Sequence, residues 1–189
     1  MPTQTPSQTV GPYLRLGFDQ MNRHHIADAG VPGTRIRVEG QVVDGAGAVV
    51  PDAVVEVWQA NAAGRYDHPE DTQDKPADAG FKGWGRAPTD SEGRFWFETV
   101  KPGQVPGRGN VLQAPHLNLT IFARGMPNHA YTRLYFADEG AANEVDPVLG
   151  SVPEARRGTL IARRDDGEPP VYHMRIVLQG DDETVFFDA

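Results

Sequence analysis

His116-Leu117-Asn118-Leu119-Thr120-Ile121 alternates polar and apolar residues without a break. A period of two is the pattern of a half-buried strand, so His116, Asn118 and Thr120 share one face and Leu117, Leu119 and Ile121 share the other. The same period runs through Ile36-Arg37-Val38-Glu39-Gly40-Gln41-Val42-Val43. Short strand-forming runs follow at Val54–Trp58, Gly85–Thr89, Arg94–Thr99, Tyr131–Phe136, Thr159–Arg163 and Val171–Leu178. Between them stand turn signals, among them Asp44-Gly45, Thr89-Asp90-Ser91-Glu92-Gly93 and Lys101-Pro102-Gly103. The Thr89–Gly93 turn reads as the bend of a hairpin. Helical periodicity is nearly absent, apart from a helical turn expected between Asp138 and Arg157. This spacing predicts an all-β chain of antiparallel strands, a sandwich or barrel, with long loops.

The chain has 189 residues, enough for one domain with a real core. Its 21 glycines and 16 prolines suit many turns. Residues 1–34 read as an extended arm. Their Thr/Gln/Pro start resembles a free tail, but Val10, Tyr13, Leu14, Leu16 and Phe18 are apolar enough to pack on the body or on a partner. Residues 35–189 form the β domain. The stretch from Asn61 to Gly83 is long and without period, which marks a functional or disordered loop. The apolar Glu183-Thr184-Val185-Phe186-Phe187 is expected to dock on the body or on a partner.

The net charge of −8 disfavours nucleic acid and anionic membrane surfaces as partners. No cysteine is present, which rules out disulfides and thiolate metal sites. The first residues carry neither a basic segment nor an apolar core of the secretory kind, and no apolar run is long enough to span a bilayer, so a cytoplasmic location is expected.

His-x-His on one strand face aims two imidazoles at one metal; here the second position is Asn118, a weak amide-oxygen ligand. His116 is therefore either half of a metal site or a structural histidine. Tyr66, in Gly64-Arg65-Tyr66, reads as a phenolate ligand, a stacking ring or an anchoring tyrosine. Arg133, among apolar and aromatic neighbours in Thr132–Phe136, is either an anion binder or half of an ion pair. His24, His25, His68, His129 and His173 have no ligand spacing. Trp58 and Trp96 read as core, and Trp84 as lining a pocket or an interface. The acidic run at Asp67, Glu70, Asp71 and Asp74 lacks calcium-loop spacing and reads as a solvated face.

Taken in order, Thr9-Val10-Gly11-Pro12-Tyr13, Val57-Trp58-Gln59-Ala60-Asn61, Gly64-Arg65-Tyr66, Lys101-Pro102-Gly103, Ala114-Pro115-His116-Leu117-Asn118, Thr132–Phe136 and Glu183–Phe187 resemble the intradiol catechol dioxygenases. The resemblance runs from the Thr9 turn to the C-terminus. It implies a β-sandwich and a heteromer of two homologous chains, an iron-bearing beta chain and an alpha chain, assembled into a higher αβ oligomer. The iron-bearing chain holds non-haem Fe(III) with two tyrosines and two histidines. Those positions match Tyr66, Val105, His116 and Asn118, so two of the four keep a ligand type. The resemblance thus implies that this chain binds no metal and has no catalytic residue of its own, and that Fe(III) lies in the partner beta subunit. It further implies that Thr9, Gly11, Pro12 and Tyr13 wall the substrate pocket and that Arg133 faces a bound aromatic acid. The reaction implied is O₂-dependent opening of 3,4-dihydroxybenzoate between its two hydroxyl-bearing carbons, giving 3-carboxy-cis,cis-muconate in the beta-ketoadipate route of aromatic catabolism. The competing expectations are a non-catalytic β-sandwich binding or assembly module and a homomeric iron enzyme with a rearranged ligand set.

Overall fold

Residues 6–11 and 13–188 are described by the computed structural model, and among them strands dominate. The strands are β1 (Arg35–Val43), β2 (Val54–Trp58), β3 (Trp84–Pro88), β4 (Arg94–Val100), β5 (Val105–Pro106), β6 (Leu112–Gln113), β7 (His116–Phe122), β8 (Ala130–Phe136), β9 (Ile161–Asp165) and β10 (Val171–Val177). The helices are short: α1 (Tyr13–Gly17), α2 (Gly140–Val145), α3 (Pro147–Ser151) and α4 (Glu154–Arg157). Eight strands make one sheet in the order β3-β2-β7-β8-β9-β10-β1-β4, and β5 pairs with β6 apart from it.

The sheet is mixed rather than antiparallel. β1 runs parallel to β10, and β8 parallel to β9. A parallel neighbour needs a crossover of a dozen or more residues. The segment from Ala137 to Leu160, which carries α2, α3 and α4, supplies it for β8 and β9. The hairpin expected around Asp90–Gly93 is also not formed. The turn itself is tight, with the Asp90 carboxylate accepting from the Glu92 and Arg94 amides at 2.8 Å each. Yet β3 pairs with β2 while β4 pairs with β1, at opposite ends of the sheet. The Thr89 hydroxyl, bonded to the Val50 carbonyl at 2.7 Å, and the Thr89 amide, bonded to the Ala53 carbonyl at 2.9 Å, tie the end of β3 to the approach to β2.

The edge strands β3 and β4 come back into contact, so the sheet nearly closes. The segment Arg23–Ala27 fills the seam. Arg23 exchanges backbone hydrogen bonds with Arg86 of β3 (2.8 and 3.1 Å). On the other side, Ile26 donates to the Glu98 carbonyl of β4 at 2.9 Å and His24 accepts from the Glu98 amide at 2.8 Å. Apolar residues from both ends of the sheet meet inside as one cluster, among them Val38, Val42, Phe95 and Phe97 with Val55, Val57, Leu117, Leu119 and Leu134. Ile26 and Val31, before the first strand, belong to the same core. Gly40 leaves room in β1 for the ring of Phe95, its register partner on β4; a Cβ there would collide with that ring. The C-terminal segment docks on the body, with Phe187 donating to the Tyr131 carbonyl at 2.8 Å and Thr132 donating to the Val185 carbonyl at 2.7 Å.

Candidate functional site

On β7 the apolar alternates enter the core, and His116, Asn118 and Thr120 face the other way. Register carries that face across three strands. Asn118 lies between Trp58 of β2 and Arg133 of β8, and His116 lies opposite Tyr135. The long loop after β2 and the short pair β5-β6 cover this face.

Asn61 shapes the loop. Its side-chain oxygen accepts from the Ala63 and Arg65 amides (3.1 and 2.9 Å), and its amide donates to the Pro76 carbonyl and the Asp78 carboxylate (2.9 and 2.7 Å). Its backbone carbonyl also takes the Gly103 amide at 2.9 Å, tying the loop to the Lys101-Pro102-Gly103 turn. Tyr66 is delivered from here. Its ring stacks on Trp58 with centroids 5.7 Å apart, and its hydroxyl lies beside Asn118. Trp58 is thus not a core residue; it is half-buried on the pocket face. Trp96 is likewise half-buried, stacked on His24 at 4.4 Å. Val105 pairs in register with Gln113, whose side-chain oxygen accepts from Arg133 at 2.6 Å. A cavity of about 640 Å³ opens beside Trp58, Tyr66 and Val105.

Tyr66 and Val105 line this cavity, and His116, Asn118 and Arg133 lie on the sheet face beside them. The His116 Nδ1 lies 2.7 Å from the Ala114 carbonyl, which only accepts, so Nδ1 carries the proton. Nε2 then presents a lone pair, buried and without a hydrogen-bond partner among the described residues. Burial, and next the Arg133 charge, push the His116 pKa down to about 4, so the ring is neutral. Burial raises the Tyr66 pKa, against the opposing effects of Asn118 and Arg133, so Tyr66 is a neutral phenol. Tyr131 donates to the Asn118 carbonyl oxygen at 2.6 Å. Arg133 also donates to the Tyr135 oxygen at 3.3 Å, and Tyr135 donates to the buried carboxylate of Asp146 at 3.1 Å.

These residues do not fit Fe(III). A highly charged, hard ion needs anionic or strongly basic donors converging on one point. Here one position is Val105, one amide oxygen is taken by Tyr131, and a guanidinium stands beside the imidazole. Among the described residues no group of three or more His, Cys, Asp or Glu side chains is placed to hold a metal ion.

The residues read as pocket walls lie elsewhere. The Thr9 hydroxyl accepts from Gly125 at 2.8 Å, in the turn between β7 and β8. Gly11 and Tyr13 are exposed, and Pro12 lies outside the described residues. Arg133 is not brought to them. The arginine beside the Thr9 turn is Arg124, largely exposed and paired with Asp52. An arginine in a turn, like Arg124, carries no pattern of its own in the sequence. Trp58 was legible, since Glu56 and Trp58 alternate with the buried Val55 and Val57.

Among the described residues no helix is long and apolar enough to cross a membrane.

A family model described as dioxygenase matches residues 11–180. The chain is 45% identical to the protocatechuate 3,4-dioxygenase alpha chain of Burkholderia cepacia, over 98% of each chain. It is 40% identical to the beta chain of the same organism, over 80% of this chain and 67% of that one. Among solved structures, an intradiol ring-cleavage dioxygenase from Tetranychus urticae shares the fold with a TM-score of 0.64 at 22% identity, over 85% of this chain and 89% of that one. From the Gly11 turn to the last strand, then, the chain belongs to the intradiol dioxygenase family.

Proposed function

We propose that this chain is the alpha-type, iron-free subunit of a protocatechuate 3,4-dioxygenase. Its partner is a homologous beta chain that carries the Fe(III), and the two build a higher αβ oligomer that opens 3,4-dihydroxybenzoate with O₂. The observation that carries the reading is the pocket itself: two ligand-type residues remain, Tyr66 and His116, facing Val105, an occupied Asn118 and Arg133. Similarity over nearly full length to an alpha chain, and at lower coverage to a beta chain, supports the same division.

In this reading the exposed first part of the arm, residues 1–34, reaches the partner while residues 23–31 pack on the body, and residues 35–189 form a β-sandwich domain. Thr9, Gly11, Pro12 and Tyr13 wall the partner's substrate pocket. A dianionic catechol bearing a carboxylate calls for a guanidinium to offset its charge. The resemblance implies that role for Arg133, and we add Arg124, which is exposed beside Thr9. A cytoplasmic enzyme of aromatic catabolism is the matching setting.

The test is co-expression. The chain purified alone is expected to be colourless, iron-free and inactive, and the complex with a beta chain coloured and active. A coloured, active preparation of this chain alone would sink the proposal, as would a stable monomer that ignores the beta chain. Within the complex, Arg133→Ala and Arg124→Ala are each expected to raise KM or lower turnover with iron content and assembly intact. Unchanged kinetics in either variant strikes that residue from the substrate-facing set.

A further inference from the structure

The lone pairs beside Arg133 face a positive charge that belongs to the protein. Arg133 is the register partner of Asn118, and its guanidinium takes the Gln113 oxygen at 2.6 Å and the Tyr135 oxygen at 3.3 Å. Both partners are neutral; the nearest carboxylate in the chain of contacts, Asp146, is reached only through the Tyr135 hydroxyl. The same guanidinium stands close enough to His116 and Tyr66 to bias both toward keeping no positive and more negative charge. Even so, Tyr66 stays a phenol and the His116 Nε2 lone pair has no hydrogen-bond partner among the described residues. The pocket thus keeps an imidazole and a phenol that suit a transition ion, with a fixed cation set among them.

We propose that Arg133 is what keeps this pocket free of metal: its guanidinium stands in the place of a cation, ties up the neutral oxygens around it and repels any ion approaching His116 and Tyr66. The proposal rests on the reading of the chain as iron-free and deepens it, since loss of ligands at Val105 and Asn118 weakens a site, whereas a built-in charge closes it to other ions as well. Two like charges brought together in a partly buried pocket repel strongly.

The probe is Co²⁺ alone, added to the full chain after chelation, with binding read by equilibrium dialysis and visible absorption. Arg133→Gln and Arg133→Met remove the charge; Arg133→Lys keeps it. Both neutral variants are expected to bind Co²⁺ on the order of a hundredfold more tightly than the wild type, and the lysine variant no more tightly. Adding His116→Ala to Arg133→Gln is expected to abolish the gain. Neutral variants that fold, by circular dichroism, but bind no better than the wild type would overturn the proposal. So would a lysine variant that gains as much as they do, or the unfolding of both neutral variants, which would make the guanidinium a structural cation. Tight binding by the wild type at His116 would instead defeat the iron-free reading itself.

Discussion

His116 shows how one residue can be legible in type and illegible in state. The sequence gives a histidine on a strand face; it does not give the Ala114 carbonyl that fixes the tautomer or the burial that strips the charge. Those facts carry a pH dependence. The folded-state pKa, about 4, lies below the ordinary histidine value near 6.5. Below pH 6.5 the unfolded chain therefore takes up a proton that the folded chain refuses. Stability from this group is unaffected above about pH 6.5, falls as the pH drops toward 4, and changes no further below it. The full loss is about 3 kcal/mol. His116→Gln is expected to flatten that slope. Urea midpoints at neutral pH and near pH 4.5 check it: equal slopes in the two proteins would show that His116 is not the source.

At the scale of elements, the loop between Asn61 and Gly83 has no period, so nothing local in it announces a conformation. The structure shows why it is ordered nonetheless. Buried Asn61 spends all four of its side-chain hydrogen bonds on the loop. Asn61→Ala leaves those buried groups without partners and is expected to cost about 2–4 kcal/mol. It is also expected to release Tyr66 from Trp58. Denaturation midpoints measure the first effect, and tryptophan fluorescence and near-ultraviolet dichroism the second. A variant of unchanged stability and spectrum would mean that the loop is held by other contacts. The strands, in contrast, were written in the alternation of each segment, because one face of each must meet the core. Their pairing was not. The turn at Asp90–Gly93 has hairpin chemistry, yet its two strands diverge because Thr89 is bound to the approach to β2, a contact outside the turn.

Across the whole molecule, the mixed sheet is not legible in the sequence for a related reason. Two parallel pairings depend on which distant segments return side by side, and no local pattern encodes that. The arm is the clearest case. Its composition suggests one unit, but its two halves differ. Residues 23–27 close the seam between β3 and β4, and Ile26 and Val31 are core residues. Tyr13, Leu16 and Met21 are exposed. Removing residues 1–21 is expected to leave the melting temperature within a few degrees of the full chain. Removing residues 1–34 takes away buried apolar groups and the backbone partners of both edge strands, and is expected to abolish cooperative melting. Calorimetry on the two truncations decides it; equal melting behaviour would show that the seam contributes nothing.

The strand quoted at the outset also bears on how such a protein comes to exist. Leu117, Leu119 and Ile121 keep β7 seated in the core, while His116 and Asn118 point away from it. Substitutions in the second set leave the first undisturbed. The chemistry of such a strand can change while its fold stays intact, because the two are carried on opposite faces.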